Sequence, residues 1–125
     1  IGFPTMELPI LYALTHPERV SDTGTQQFDP VAAGPLTFEP LRTDVFPAFR
    51  LGVEAGRSGG TAPAAFNAAN EVAVSTFLEG RIPFGRIVET IDRVLERHES
   101  RGADTLEAVL EADRAARSLA EALCS

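Results

Sequence analysis

The stretch Gly59–Gly80, GGTAPAAFNAANEVAVSTFLEG, leaves few folds open to this chain. Gly59-Gly60 closes whatever precedes it. Thr61 with Pro63 opens a helix, because proline fits the first helical turn. Gly80 stands where a helix stop is expected. Between these marks, Ala64, Ala65, Phe66, Ala68, Ala69, Val72, Ala73, Val74, Phe77 and Leu78 place apolar groups nearly all the way round. A helix apolar on every side is expected to be buried, and its small residues let neighbouring helices come close. The spacing therefore predicts the central helix of a small bundle. In that setting its mid-helix polar residues, Asn67, Asn70 and Glu71, need partners.

Three amphipathic segments flank it. Phe46–Arg57 carries Phe46, Phe49 and Val53 on one side. Pro83–His98 carries the stripe Phe84, Ile87, Val88, Ile91, Val94 and Leu95, with Glu89 and Arg93 as an i,i+4 pair on the other face. A last helix follows, with Asp104 as its expected cap and Glu107 completing a capping box. Its apolar stripe is Val109, Ala112, Ala116, Leu119, Ala120 and Leu123. Residues 41–125 thus read as a small four-helix bundle-like domain, and the chain as mainly α. Ahead of it, residues 1–20 read as a short α/β stub. Ile1–Phe3 is expected to end a strand, and Glu7–Thr15 to form a helix that stops at His16-Pro17. The stub has no core of its own, so its partners are expected upstream of Ile1. Residues 21–40 read as a turn-rich connector with a short edge strand at Leu36–Phe38 between two prolines.

Charge removes several classes of function. A net charge of −7 repels nucleic-acid phosphates and anionic membranes alike. All eleven basic residues are arginine, so this chain supplies neither a Schiff-base lysine nor a phosphate-loop lysine. The single Cys124 excludes an internal disulfide framework and fits a reducing compartment. No apolar run approaches the length of a membrane span. There is no signal-peptide pattern, and the absent initial Met suggests a fragment or a processed chain.

Motifs for chemistry are equally sparse. His16 and His98 both fall at helix ends, where a cation favours the dipole, and neither has acid or Cys neighbours at metal-ligand spacing. Gly52, Gly56, Gly59 and Gly60 follow no strand and lack dinucleotide spacing, so close packing and a helix stop explain them better than a phosphate loop. Asn67 and Glu71 share a face at i,i+4. A buried polar network involving Asn67, Asn70 and Glu71 is the favoured reading, with a catalytic carboxylate beside an amide as the alternative. No Ser-His-Asp or Cys-His set has spacing support. Read from its residues, the chain is a helical accessory domain with a stub of something else, and holds no catalytic, cofactor or metal residue set.

A family resemblance adds to this. Gly2-Phe3-Pro4-Thr5-Met6-Glu7-Leu8-Pro9-Ile10, followed by Tyr12-Ala13-Leu14-Thr15-His16-Pro17-Glu18-Arg19, resembles a stretch of 1-deoxy-D-xylulose 5-phosphate reductoisomerase. Leu36-Thr37-Phe38-Glu39 is similar to an edge segment of that family. Ala55-Gly56-Arg57, Gly59-Gly60-Thr61-Ala62-Pro63 and Asn67-Ala68-Ala69-Asn70-Glu71 resemble its C-terminal pattern, in the same order along the chain. The resemblance implies the end of a catalytic domain at residues 1–20 and a C-terminal helical domain at 41–125. The implied parent is a cytoplasmic, bacterial, homodimeric enzyme that converts 1-deoxy-D-xylulose 5-phosphate to 2-C-methyl-D-erythritol 4-phosphate in the non-mevalonate isoprenoid pathway. It would use NADPH and Mg or Mn. The nucleotide, metal and phosphate ligands would lie upstream, on the nucleotide-binding and catalytic domains that are this chain's implied partners. The isolated chain is therefore expected to be inactive and to bind no cofactor. Only Pro4 and Met6 carry over as substrate-pocket residues, where apolar cover would dry the site. Plain packing explains the same two side chains.

Thr5, Glu7 and His16 depart from the family pattern, which usually has Asp, a basic residue and an aromatic there. A reductoisomerase-like oxidoreductase with a different phosphorylated substrate is thus one alternative. A stand-alone helical interaction module is another, and a small enzyme using Asn67, Asn70 and Glu71 a third.

Overall fold

The computed structural model describes residues 2–125. The chain divides into two compact units, Ile1–Pro40 and Leu41–Ser125. The first holds α1 (Glu7–Thr15) and the single-turn α2 (Pro30–Ala33). The second holds α3 (Pro47–Ser58), α4 (Ala62–Leu78), α5 (Gly85–Arg97) and α6 (Leu106–Cys124).

In the second unit, α4 lies against all three other helices. Its packed face is made of small residues. Ala65, Ala68, Ala69 and Ala73 have no exposed surface, and Ala62 and Thr76 extend the strip. Across it, Ala112, Ala116 and Ala120 repeat every fourth residue along the buried side of α6. Two small-residue strips let the helix axes close up, and larger groups fill the flanks. The core joins Leu51, Ile91 and Val94 to Ala65, Ala68, Ala69, Ala116 and Ala120, with partly buried side chains such as Phe66, Val72, Ile87 and Leu119 around it. Two of the buried hydroxyls are satisfied within their own helices. Thr76 Oγ1 donates to the Val72 carbonyl at 2.8 Å, and Thr90 Oγ1 to the Arg86 carbonyl at 2.8 Å.

Five expectations are corrected. The central helix is not covered on every side: Asn67, Glu71 and Ser75 are exposed, and Leu78 is 77% exposed. Its alanines line the packed face, and the outward positions fall mostly to polar residues. No strand occurs among the described residues, so the edge strand at Leu36–Phe38 is absent and the first unit is not α/β. Those three residues are exposed and have no ladder to join. Gly2 and Phe3 are likewise not in a strand, and Ile1 lies outside the described residues. The cap of α6 is Thr105, not Asp104. Thr105 is extended, and its Oγ1 accepts the Ala108 N–H at 3.2 Å, which puts Glu107 one position short of a capping box. Lastly, Glu89 pairs with Arg86 at 3.0 Å rather than with Arg93. The other Nη of Arg86 donates to the Leu123 carbonyl at 3.2 Å.

The turn between α3 and α4 meets the segment between α5 and α6. Gly59 and Gly60 have φ of 67° and 52°, the left-handed region that favours glycine. The Thr61 N–H donates to the Arg101 carbonyl at 2.9 Å, and the Arg101 N–H donates back to Thr61 Oγ1 at 3.1 Å. Thr61 Oγ1 also bonds His98 Nε2 at 3.0 Å. So engaged, the Thr61 side chain makes no cap bond to its own helix.

Candidate functional site

In the first unit, the chain turns at Thr5, whose N–H donates to the Phe3 carbonyl at 2.7 Å. Met6 then caps α1 through its backbone: the Met6 carbonyl accepts the Ile10 N–H at 3.0 Å. Its side chain is 67% exposed. Thr5, Met6 and Glu7 line an open cavity of about 680 Å³, together with Ile10, Leu11 and Leu14 of α1 and Asp22, Gly24 and Thr25 opposite. Pro4 is exposed and is not part of that lining. Asp22 accepts the Gly24 and Thr25 N–H groups at 3.0 Å each, which hold its carboxyl below the usual range. The wall is therefore apolar along α1, with one fixed anion at its edge. On this unit His16 packs edge-on to Tyr12 at 5.6 Å, and the Arg19 guanidinium lies over the Tyr12 ring at 5.1 Å. Helix α1 buries none of its residues, and Leu8, Ile10 and Leu14 are about half to four-fifths exposed.

In the second unit, the polar residues of α4 form a surface chain. Asn67 Nδ2 donates to Glu71 Oε1 at 2.9 Å, and Arg117 Nη2 donates to Glu71 Oε2 at 2.7 Å. Arg117 also grips Asp113 with Nε and Nη2, at 2.8 and 3.1 Å. Asn70 is half-buried and makes no side-chain hydrogen bond among the described residues. With both oxygens engaged, Glu71 is held below the ordinary glutamate range, first by Arg117 and then by Asn67. Arg117 is pushed up, chiefly by Asp113 and then by Glu71. A carboxylate stabilised as the anion is a poor proton acceptor, and no nucleophile bonds to it. The arrangement ties α4 to α6.

The role of Arg117 escaped the sequence reading. Its contact with Asp113 has i,i+4 spacing and was open to discovery, whereas its reach across 46 residues to Glu71 leaves no periodic signal. The same holds for Thr61 and His98, which are 37 residues apart. His98 stands at the end of α5 and also lines a cleft of about 320 Å³ with Thr61, Arg97, Arg101 and Glu111. No three His, Cys, Asp or Glu side chains converge among the described residues, so a divalent cation has no donor set here. Each positive-φ glycine outside the first unit sits at a helix end, at Gly59, Gly60 and Gly80, with no strand ahead of it. A dinucleotide phosphate cradle does not fit these residues either. Among the described residues, no helix is long and apolar enough to cross a membrane.

A self-contained helical core, preceded in the chain by a short helical unit, defines the class: an all-helical domain. Comparison with known proteins specifies which one. Residues 1–119 match the family model of the DXP reductoisomerase C-terminal domain, and the chain belongs to that family. The 1-deoxy-D-xylulose 5-phosphate reductoisomerase of Cupriavidus metallidurans is 48% identical over 122 residues, covering 98% of this chain and 31% of that protein. The enzyme of the same name from Geobacillus kaustophilus is 43% identical over 125 residues, covering 100% and 33%. Among solved structures, the Zymomonas mobilis 1-deoxy-D-xylulose 5-phosphate reductoisomerase in complex with NADPH superposes with a TM-score of 0.78 at 36% identity. It covers 100% of this chain and 33% of that one. The chain thus spans about a third of the length of the relatives it matches.

Proposed function

We propose that this chain works as the C-terminal portion of a 1-deoxy-D-xylulose 5-phosphate reductoisomerase. The parent would convert that sugar phosphate to 2-C-methyl-D-erythritol 4-phosphate with NADPH, in non-mevalonate isoprenoid biosynthesis in the bacterial cytoplasm. The observation that carries the reading is the family match over residues 1–119, supported by the Zymomonas neighbour that holds NADPH. NADPH and a Mg or Mn ion would be held on the upstream domains of the parent. When bound, the nucleotide supplies the hydride and the cation polarises the substrate oxygens. This chain's residues have two other tasks. The α4-centred bundle braces the upstream domains of a homodimeric parent. The α1 unit, with its apolar surface uncovered here, lends Met6 and Pro4 to the substrate wall, where they keep water out. The surface link from Asn67 through Glu71 keeps the brace in register, with Asn70 beside it. The 125-residue chain alone is inactive on this reading.

Thr5 and Glu7, which depart from the family pattern, line the same cavity as Met6. That observation favours, as a second reading, a related oxidoreductase with another phosphorylated substrate. The test is made on the whole protein carrying this chain. NADPH oxidation with 1-deoxy-D-xylulose 5-phosphate is expected, and Met6→Ala should lower kcat/KM by roughly tenfold, the loss of part of an apolar wall. Turnover restricted to a different sugar phosphate selects the second reading. Unchanged kinetics in Met6→Ala removes Met6 from the wall.

A further inference from the structure

We propose that α3 is a hinged helix held down by a strap, the segment between α5 and α6, and that it detaches and redocks while α4, α5 and α6 stay folded. Three observations carry this. The first is that α3 is thinly anchored. It buries only Leu51 and Ala55, whereas α4 buries six residues. The N-cap Phe46 and the first-turn Phe49 are about half exposed, and the Arg50–Glu54 ion pair stays on the helix's own surface. Elements with few buried apolar contacts are the ones that open locally.

The second is a hinge at the C-terminal end of α3. Gly59 and Gly60 are consecutive positive-φ glycines, which absorb large backbone rotations at little steric cost. The third is where the strap is fastened. Ser100 Oγ donates to the Gly59 carbonyl at 3.2 Å. The Thr61 and Arg101 backbones and the Thr61 hydroxyl exchange two further hydrogen bonds, and His98 adds a contact to that hydroxyl. These bonds all end on the hinge and on the first residue after it. The fit is tight at Gly60, where a Cβ would collide with the Arg101 carbonyl oxygen. The strap therefore fixes the angle at which α3 leaves the turn. With the strap in place α3 lies on the core, and without it the helix is held by the buried Leu51 and Ala55, the half-buried Val53 and the Phe66 ring against Gly52.

Residues 35–46, just ahead of α3, form neither helix nor strand. A released α3 adds its twelve residues to that segment, so the strap sets the length of the non-helical stretch ahead of the bundle. This is a conformational device within the chain and does not depend on the activity of any longer protein.

Residue-resolved amide hydrogen exchange on the intact chain tests it. The expected result is that α3 exchanges through an opening that α4, α5 and α6 do not share. Thr61→Val, which keeps the shape and removes the hydroxyl, and Gly60→Ala, which drives the strap off, should each speed α3 exchange by roughly tenfold or more with the other helices unchanged. Thr61→Val decides the matter if Gly60→Ala does not fold. Exchange of α3 at the same rate as the other helices, no change in Thr61→Val, or equal acceleration of all four helices overturns the proposal.

Discussion

At Glu71 one carboxylate serves two helices. Its Oε1 accepts from Asn67 on its own helix and its Oε2 accepts from Arg117 on α6. Both donors favour the ionised form, so the carboxyl titrates below the ordinary glutamate range. A depressed acid contributes stability that is present above its unfolded value and lost as pH falls through the folded one. Thermal unfolding followed from neutral to strongly acid pH should show a decline at the acid end that is smaller in Glu71→Gln. Superimposable curves for the two proteins would contradict the link. The alanines behind Glu71 set a different limit. Ala65 has no exposed surface and lies in the contact between helices. Ala65→Leu should overpack that contact and cost about 1–3 kcal/mol, read as a lower urea midpoint. A midpoint equal to that of the unaltered protein would mean the helices are further apart than described.

Helix ends show how the elements are specified. Thr105 caps α6 through its hydroxyl, so Thr105→Ala should cost about 1 kcal/mol by chemical denaturation. Asp104→Ala, one residue earlier, should stay within about 0.5 kcal/mol. The reverse order would move the start of α6. The cap reads as Asp104 from sequence because Glu107 stands three residues later, but Thr105 is as good a cap and its extended backbone takes the role. Elsewhere the helical periodicity was strong enough to read. The bounds of α1 agree at both ends, and α3, α4 and α5 lie within a few residues of those read from spacing and punctuation. Leu36–Phe38 failed as a strand because local preference for extension forms a strand only beside a partner, and none stands there. The single turn of α2 was missed although Asp29 and Pro30 carry a cap and a first-turn proline, since four residues are too few to show a period. In the site, Asn67 with Glu71 was legible as an i,i+4 pair. Its surface setting was not, because counting apolar residues in α4 does not reveal that alanine makes up most of its packed face.

Taken whole, the molecule has an uneven distribution of cover. The second unit has its own core, with Ile91 and Val94 each 1% exposed. The first unit leaves Leu8, Ile10 and Leu14 in the open on a helix with nothing buried. An apolar helix of this kind is built to be covered, which agrees with a chain that spans about a third of the relatives it matches. If it is the C-terminal portion of a reductoisomerase, it should replace the matching portion of one. The decisive measurement grafts residues 1–125 onto the preceding part of the Cupriavidus metallidurans enzyme, in place of the segment they match. NADPH oxidation with 1-deoxy-D-xylulose 5-phosphate is then compared with the same enzyme truncated before that segment. Turnover by the graft and none by the truncation is the expected result. A graft that folds and binds NADPH but gives no turnover on this substrate would contradict it.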